Sequence, residues 1–265
     1  MDQQQASEAL AVGDAFRFEN LSDPAAGVWE LLPEVQIAVN AASKSASSAI
    51  SMAYTMNALR KASAGRDARG RFTAEAQDCL RSALLFSGAG LDTALKRLVA
   101  HTLPILVNNE LAVAKQFEDY SKRRIANGSD GVDPRELLQL LLSTAKTPRD
   151  VLLERWVYDL RSSSAQSAER VMELATACGV SNRALKKRFT PSKDKSSLIE
   201  RAFSARNQIA HELDVTNPAE GARKALETIR QYRKAEDITS MCQELLDVTQ
   251  DIVNDVAARL VIVEK

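Results

Sequence analysis

The apolar residues of this chain recur at steps of three and four over long stretches, which is the spacing of one face of an α-helix. This pattern predicts helices over about residues 25–64, 73–107, 148–179 and 195–213, with one or two more up to the C-terminus. A shorter helix is predicted after Pro134. Segments that alternate polar and apolar residues in the way of a β-strand are missing, so the sequence predicts an all-α fold.

The predicted helices begin and end at residues suited to those positions. Thr73 is a residue type that caps helix N-termini, and Pro134 and Pro148 fit the first helical position. Gly179 follows the last apolar position of its segment, where glycine commonly ends a helix. These residues support the predicted boundaries independently of the apolar pattern.

Two glycines, Gly88 and Gly90, interrupt the most hydrophobic predicted helix. Each costs about 1 kcal/mol of helix propensity relative to alanine. Glycine in such a place often allows another backbone to come close. The sequence therefore predicts close contact here with a neighbouring helix or with a second subunit.

A Gly- and Arg-rich turn, AGRDARGRF, separates the first two long helices. Residues 1–72 are expected to form an N-terminal helical extension and residues 73–265 the main helical domain, joined in one compact unit. Arg66, Arg69 and Arg71 in this turn are candidates for contacting phosphate groups, with a solvated loop as the alternative interpretation.

Composition and charge restrict the classes of function. The 265 residues include 35 basic and 35 acidic side chains, so a nucleic acid would have to bind a local positive patch rather than a general positive field. No apolar run approaches the roughly 18 residues of a membrane span, and the polar N-terminus lacks the pattern of a signal peptide. A soluble, cytoplasmic protein that does not bind membranes is expected.

No motif for a cofactor appears. The three cysteines share no metal-ligand or disulfide spacing. A Gly-rich phosphate loop, a His/Cys metal cluster and a nucleophile elbow are all missing from the sequence. The prediction is a protein that uses neither a metal nor another cofactor.

The strongest candidate for chemistry is the segment that contains Arg206, Asn207 and His211. Asn207 and His211 are four residues apart, and this spacing places them on one face of a helix that the long Arg206 side chain can also reach. Imidazole can transfer protons near neutral pH, and guanidinium is a permanent cation whose geometry matches phosphate. This set suits phosphodiester cleavage without a metal. The alternative is that Arg206 and His211 merely cap the last turn of a helix.

The segment ARNQIAHE resembles the signature of the HEPN superfamily, in which four to six residues separate an Arg and a His and Asn commonly follows the Arg. The segment LLFSGAGLDTALKRLV resembles an early core helix of that family, where Asp92 would fill an acidic position. The order of the later helices is similar to that of RiboL-PSP-type members. The likeness extends from about Thr73 to the C-terminus.

This resemblance implies a HEPN-type helical bundle that forms a homodimer with two copies of the motif in a shared cleft. It implies a metal-independent endoribonuclease that leaves a 2′,3′-cyclic phosphate, typical of toxin–antitoxin and phage-defence systems. His211 would be the general base or acid, Arg206 would stabilise the phosphate and Asn207 would orient the pair, with Asp92 and Glu212 as supporting residues. An antitoxin or sensor protein is an implied partner, and some members of the family only bind or dimerise.

One position departs from the family pattern. HEPN toxins that are paired with nucleotidyltransferase antitoxins usually carry a tyrosine two residues after the His, and this tyrosine is modified. Leu213 occupies that position here. Regulation through such a tyrosine is therefore not expected in this chain.

A second motif competes with this interpretation. Residues 173–189 resemble the helix-turn-helix of AraC-type transcription factors, with Lys186, Lys187 and Arg188 on or near the recognition helix, where they would contact DNA or RNA. The chain lacks the second such unit of those regulators, and the motif gives Arg206 and His211 no role. A purely structural helical scaffold is a further alternative.

Overall fold

The computed structural model describes residues 16–19, 21–63, 71–126, 135, 146–191, 196–221 and 224–263. Ten α-helices lie in these residues: α1 (Val28–Leu31), α2 (Pro33–Ser63), α3 (Ala74–Asn109), α4 (Leu111–Ala126), α5 (Pro148–Ser162), α6 (Ala168–Ala177), α7 (Arg183–Phe189), α8 (Leu198–Glu212), α9 (Leu226–Ile229) and α10 (Ala235–Val263). A short 3-10 helix spans Pro218–Glu220, and the described residues contain no β-strand. The predicted all-α class is confirmed.

The longest helix, α3, lies at the centre of the fold and contacts α2, α4, α5, α6, α8 and α10. Its N-terminus is fixed by Thr73, whose hydroxyl accepts a hydrogen bond from the Ala76 N–H at 3.3 Å, as predicted for a cap. Buried apolar residues lie on more than one side of α3: Leu80 and Leu91 on one, Ala83 and Ala94 towards a second, and Leu103 towards a third. Burial on several sides is what a helix needs to pack against several neighbours at once.

The helix pair α2–α3 depends on the glycine predicted to mark a close approach. A β-carbon built on Gly90 would lie 2.1 Å from the β-carbon of Ala42 on α2, far inside van der Waals contact. Close contact with a neighbouring helix is thus confirmed. The buried side of α2, which includes Val35, Val39 and Ile50, joins one hydrophobic core with α3 and α10.

The first predicted helix differs from the structure at its start. The helical residues begin at Val28 rather than near residue 25, and Leu32 separates α1 from α2 with φ −133° and ψ 47°. Proline disfavours helical backbone angles in the residue before it, so Pro33 accounts for the break. The helix predicted after Pro134 falls outside the described residues except for Arg135.

The prediction of one helix over residues 148–179 is wrong, because the structure has two. The helix α5 ends at Ser162, α6 begins at Ala168, and the residues between them, Ser163–Ser167, form an extended segment that we call the α5–α6 linker. Serine hydroxyls compete with helical hydrogen bonds, and Ser167 instead caps α6 by accepting from the Arg170 N–H at 3.1 Å. The predicted ends hold: Pro148 opens α5, and Gly179 follows α6 with φ 78°.

The described residues contain neither a helix suited to span a membrane nor a group of side chains suited to hold a metal ion. No helix in them combines the length and the apolar character that crossing a membrane requires. No group of three or more His, Cys, Asp or Glu side chains in them is arranged to hold a metal ion.

Gly90→Ala should lower the free energy of unfolding by roughly 1–3 kcal/mol, because overpacking outweighs the gain in helix propensity. Urea denaturation monitored by circular dichroism measures this change. In an Ala42→Gly background, where the opposing β-carbon is gone, the same substitution should be neutral or stabilising. Equal stability of Gly90→Ala and the wild type would contradict the close contact.

Candidate functional site

The helix α8 carries the predicted motif and has one buried and one exposed side. Ser197 and Glu200 form a capping box at its N-terminus, in which the Ser197 N–H donates to the Glu200 carboxylate at 2.7 Å. The side packed against α3 and α10 contains Ile199, Ala202, Phe203, Ala205 and Ile209. Arg206 and Asn207 lie at the border between the two sides and are half-buried.

Arg206 packs directly against α3. A β-carbon built on Gly88 would lie 3.3 Å from the Arg206 Cγ, so the absence of a side chain at Gly88 leaves room for Arg206. The Arg206 Nη1 donates to the Gln166 Oε1 at 2.5 Å and to the Asn207 Oδ1 at 3.1 Å. Its Nε is buried and has no hydrogen-bond partner in the described structure.

Gln166 belongs to the α5–α6 linker and contacts both motif residues. Besides accepting from Arg206, it accepts through its backbone oxygen from the Asn207 Nδ2 at 3.3 Å. The sequence gives no sign of a role for Gln166, because the residue is 40 positions from Arg206 and lies in a segment whose pattern predicts a helix. The serine-rich composition of the linker was the one available signal that the helix stops there.

Asp92, the predicted acidic position, binds the same linker from α3. Its Oδ1 accepts from the Ala165 N–H at 2.6 Å, and its Oδ2 is 3.0 Å from the Lys96 Nζ. Asp92 is one helical turn beyond Gly88, the residue that Arg206 packs against. The structure therefore brings Asp92, Arg206 and Asn207 together around the α5–α6 linker.

His211 lies one turn beyond Asn207 on α8 and is exposed. It forms no hydrogen bond or ion pair with another described residue, and the neighbouring Glu212 is exposed as well. The other histidine, His101, is on α3 with its Nε2 3.3 Å from the Glu34 Oε2. His211 is thus open to solvent, one helical turn beyond Asn207, and is not hydrogen-bonded to the Arg206–Asn207 pair.

The electrostatics of Arg206 suit an anion. Burial lowers the pKa of its guanidinium, and the nearby Asp92 carboxylate raises that pKa in part. A guanidinium titrates so far above neutrality that Arg206 stays charged. Its hydrogen-bond acceptors, Gln166 and Asn207, are neutral amides, so neither cancels the positive charge.

The end of α8 is held by a buried carboxylate. Leu213 and Asp214 adopt left-handed backbone angles with φ 51° and 65°. The fully buried Asp214 carboxylate is 2.9 Å from the Arg81 Nε on α3 and 2.6 Å from the Arg233 Nη2. The same Arg233 Nη2 donates to the Gln208 Oε1 at 2.8 Å. This network fixes the last turn of α8, which carries His211, to α3.

The predicted RNA-contacting residues are in different surroundings. Arg66 and Arg69 lie outside the described residues, and the Arg71 guanidinium stacks 5.0 Å from the Tyr232 ring centre. Lys186 and Lys187 on α7 are exposed and form no ion pair with a described residue. Arg188 turns inward to acidic residues of α10, with 2.6 Å to the Asp247 Oδ2.

The segment predicted as a helix-turn-helix does contain two helices and a turn. A five-residue connection with Gly179 at positive φ joins α6 to α7, and Val180 and Leu185 pack into the core. The helix α7 has seven residues. Of its three predicted contact residues, Lys186 and Lys187 face solvent, whereas Arg188 is engaged with α10.

An open groove lies in another part of the described structure. It has a volume of about 830 Å³ and lies between α3 and α5, lined by Pro104, Leu153, Val157 and Tyr158 among others. No residue of α8 lines this groove.

Comparison with known proteins adds no family assignment. No protein-family model matches the chain, and neither a curated protein nor a solved structure matches it.

Asp214→Ala should lower the free energy of unfolding by roughly 3–5 kcal/mol, because it leaves the buried Arg81 and Arg233 without their shared carboxylate. Asp78→Ala is the matched control: Asp78 also pairs with Arg81, at 2.9 Å, but is 54% exposed. Removing the Asp78 carboxylate should lower the free energy of unfolding by about 1 kcal/mol or less. Chemical denaturation of both variants measures the difference, and similar losses would contradict the anchoring role of Asp214.

Proposed function

We propose that this protein is a metal-independent HEPN endoribonuclease that cleaves RNA at a site formed by Arg206, Asn207 and His211. The observation that carries the proposal is the fixed guanidinium of Arg206. It is packed over Gly88 and held by two neutral amides, and the exposed His211 follows five residues later on the same helix. A half-buried guanidinium that is hydrogen-bonded to neutral amides keeps its positive charge, and phosphate is a ligand that its forked geometry matches.

In the proposed reaction His211 removes the proton from a ribose 2′-hydroxyl, and the 2′-oxygen attacks the adjacent phosphorus. The bond from phosphorus to the 5′-oxygen breaks, and that oxygen takes up a proton from an imidazolium or from water. The products are a 2′,3′-cyclic phosphate and a 5′-hydroxyl. Arg206 would stabilise the charge on the pentavalent phosphorus, and Asn207 would hold Arg206 in place.

The charge distribution supports contact with RNA at this side of the molecule. Beyond Lys186 and Lys187, Arg183 on α7 and Arg201 on α8 are exposed and unpaired within the part of the chain that the structure describes. The helices α7 and α8 contact each other. In the proposal these four unpaired cations on two adjacent helices supply the local positive charge that a chain of zero net charge needs in order to attract a polyanion.

The proposal includes a homodimer with two copies of the site in one cleft. This part of the proposal rests on the resemblance of the motif to the HEPN signature; His211 and Leu213 at the end of α8 are both exposed, so a partner subunit could reach them. We further propose a cytoplasmic toxin or phage-defence effector, which would need an antitoxin or sensor protein to restrain it. A HEPN protein that binds RNA without cleaving it is the related alternative.

A second candidate function is DNA binding through α6 and α7. The specific observation in its favour is the helix–turn–helix arrangement with solvent-facing Lys186 and Lys187. The inward position of Arg188 removes one of the three contact residues on which it depends.

Arg206→Ala and His211→Ala should each abolish cleavage of total cellular RNA in the presence of EDTA. Removing one electrostatic or proton-transfer group in such a site costs about 10²–10⁴ in rate. Gel analysis with end-group determination should find cyclic phosphate in the wild-type products.

His101→Ala is the matched control, since His101 is the other exposed helical histidine and should be dispensable. Light scattering of the same samples at micromolar concentration should give a dimer. Full cleavage by the Arg206→Ala or His211→Ala variant, with His101→Ala equally active, would contradict the assigned site.

Lys186→Glu combined with Lys187→Glu should weaken RNA binding and reduce its dependence on salt, by a slope of about 1–2 in a logarithmic plot. Fluorescence anisotropy with a fully 2′-O-methylated RNA oligonucleotide measures both quantities. The control pair, Lys44→Glu with Lys115→Glu, changes net charge equally on α2 and α4 and should leave binding unchanged. Preferential binding to duplex DNA, lost in the first pair, would favour the alternative function.

A further inference from the structure

The α5–α6 linker is attached to the site by three separate contacts. Asp92 holds the backbone N–H of Ala165, and Asn207 donates to the backbone oxygen of Gln166. These two contacts involve the main chain of the linker. The third contact, from Arg206 Nη1 to the Oε1 of Gln166, is made by a side chain.

Because the main-chain contacts already hold the linker, the Gln166 side chain is not needed to fasten it. Ala165 is fully buried, and Ser167 caps α6 independently. The Gln166 amide makes its one hydrogen bond within the described residues to Arg206. The Gln166 side chain therefore affects the orientation of the Arg206 guanidinium and does not determine the path of the main chain.

Arg206 has little else to orient it. Its Nε is buried without a hydrogen-bond partner, and its stem lies on the bare backbone at Gly88. Asn207 is the next residue of the same helix, so it moves together with α8. Gln166 is the hydrogen-bond partner that ties the guanidinium to a part of the fold outside α8.

We propose that Gln166 is a positioning residue, which fixes the direction of the Arg206 guanidinium while leaving its positive charge available to a phosphate. A glutamate here would make an equally good acceptor but would cancel the charge. A glutamine accepts the hydrogen bond and leaves the positive charge of Arg206 uncancelled. This inference rests on the proposed nuclease function and adds to it a residue outside the Arg–His motif.

Two substitutions separate orientation from charge. Gln166→Met keeps the size of the side chain and removes the acceptor, so kcat should fall roughly 10- to 100-fold, as expected for a misplaced group, with KM within about twofold. Gln166→Glu keeps the acceptor and adds a negative charge, so KM should rise about tenfold or more as phosphate binding weakens.

Gln116→Met is the matched control. Gln116 also makes a single hydrogen bond between elements, from its Nε2 to the Thr176 backbone oxygen at 2.7 Å. This variant should keep the wild-type kcat and KM. The Tm of all three variants should stay within about 4 °C of the wild type, the shift that 1 kcal/mol produces in a chain of this size.

The experiment is steady-state cleavage of a fluorogenic RNA oligonucleotide by the full-length variants, with Tm measured on the same samples. If the wild type cleaves and Gln166→Met is equally fast, the role of Gln166 is overturned and the nuclease proposal stands. A fall in Tm well beyond that limit in Gln166→Met would also overturn it, because the side chain would then hold the fold. Absence of cleavage by the wild type would overturn both proposals together.

Discussion

Gly88 and Gly90 lie in one turn of α3, and because glycine has no β-carbon they allow two close contacts around which the helices are arranged. At Gly90 the space is taken by α2, whose Ala42 could not approach so closely to any other residue. At Gly88 the space is taken by the Arg206 side chain from the other side of the helix. The same helix therefore organises the hydrophobic core and receives the candidate catalytic arginine. Both glycines lower helix propensity, and the packing of a 36-residue helix compensates for that cost.

Polar contacts add to the apolar packing of α8 in holding the site. The α5–α6 linker joins Asp92 on α3 to Arg206 and Asn207 on α8, while the buried Asp214 joins the end of α8 to Arg81. Helix α8 is thus fixed near its middle and at its C-terminus. This arrangement leaves His211 exposed on a turn that is secured at both sides, as proton transfer to an external substrate would require.

The distribution of charge separates the candidate site from other basic surfaces. Arg206 is held by neutral amides, whereas Arg188 and Arg233 are neutralised by carboxylates and belong to the internal framework. A half-buried arginine that keeps its charge can bind an anion. This distinction between the arginines supports the proposal that Arg206 binds phosphate.

The sequence by itself determined the all-α class, the starts of α3 and α5 and the one-turn spacing of Asn207 and His211, because these depend on residues within a few positions of each other. The capping residue Thr73 acts over three residues. Only the tertiary structure decided that the predicted helix over 148–179 stops at the α5–α6 linker, since Asp92 holds that linker from 73 residues away. It likewise decided that Arg206 meets Gln166 and that Arg81 meets Asp214, pairs 40 and 133 residues apart. No local pattern encodes such pairs, because they arise when the helices pack around α3.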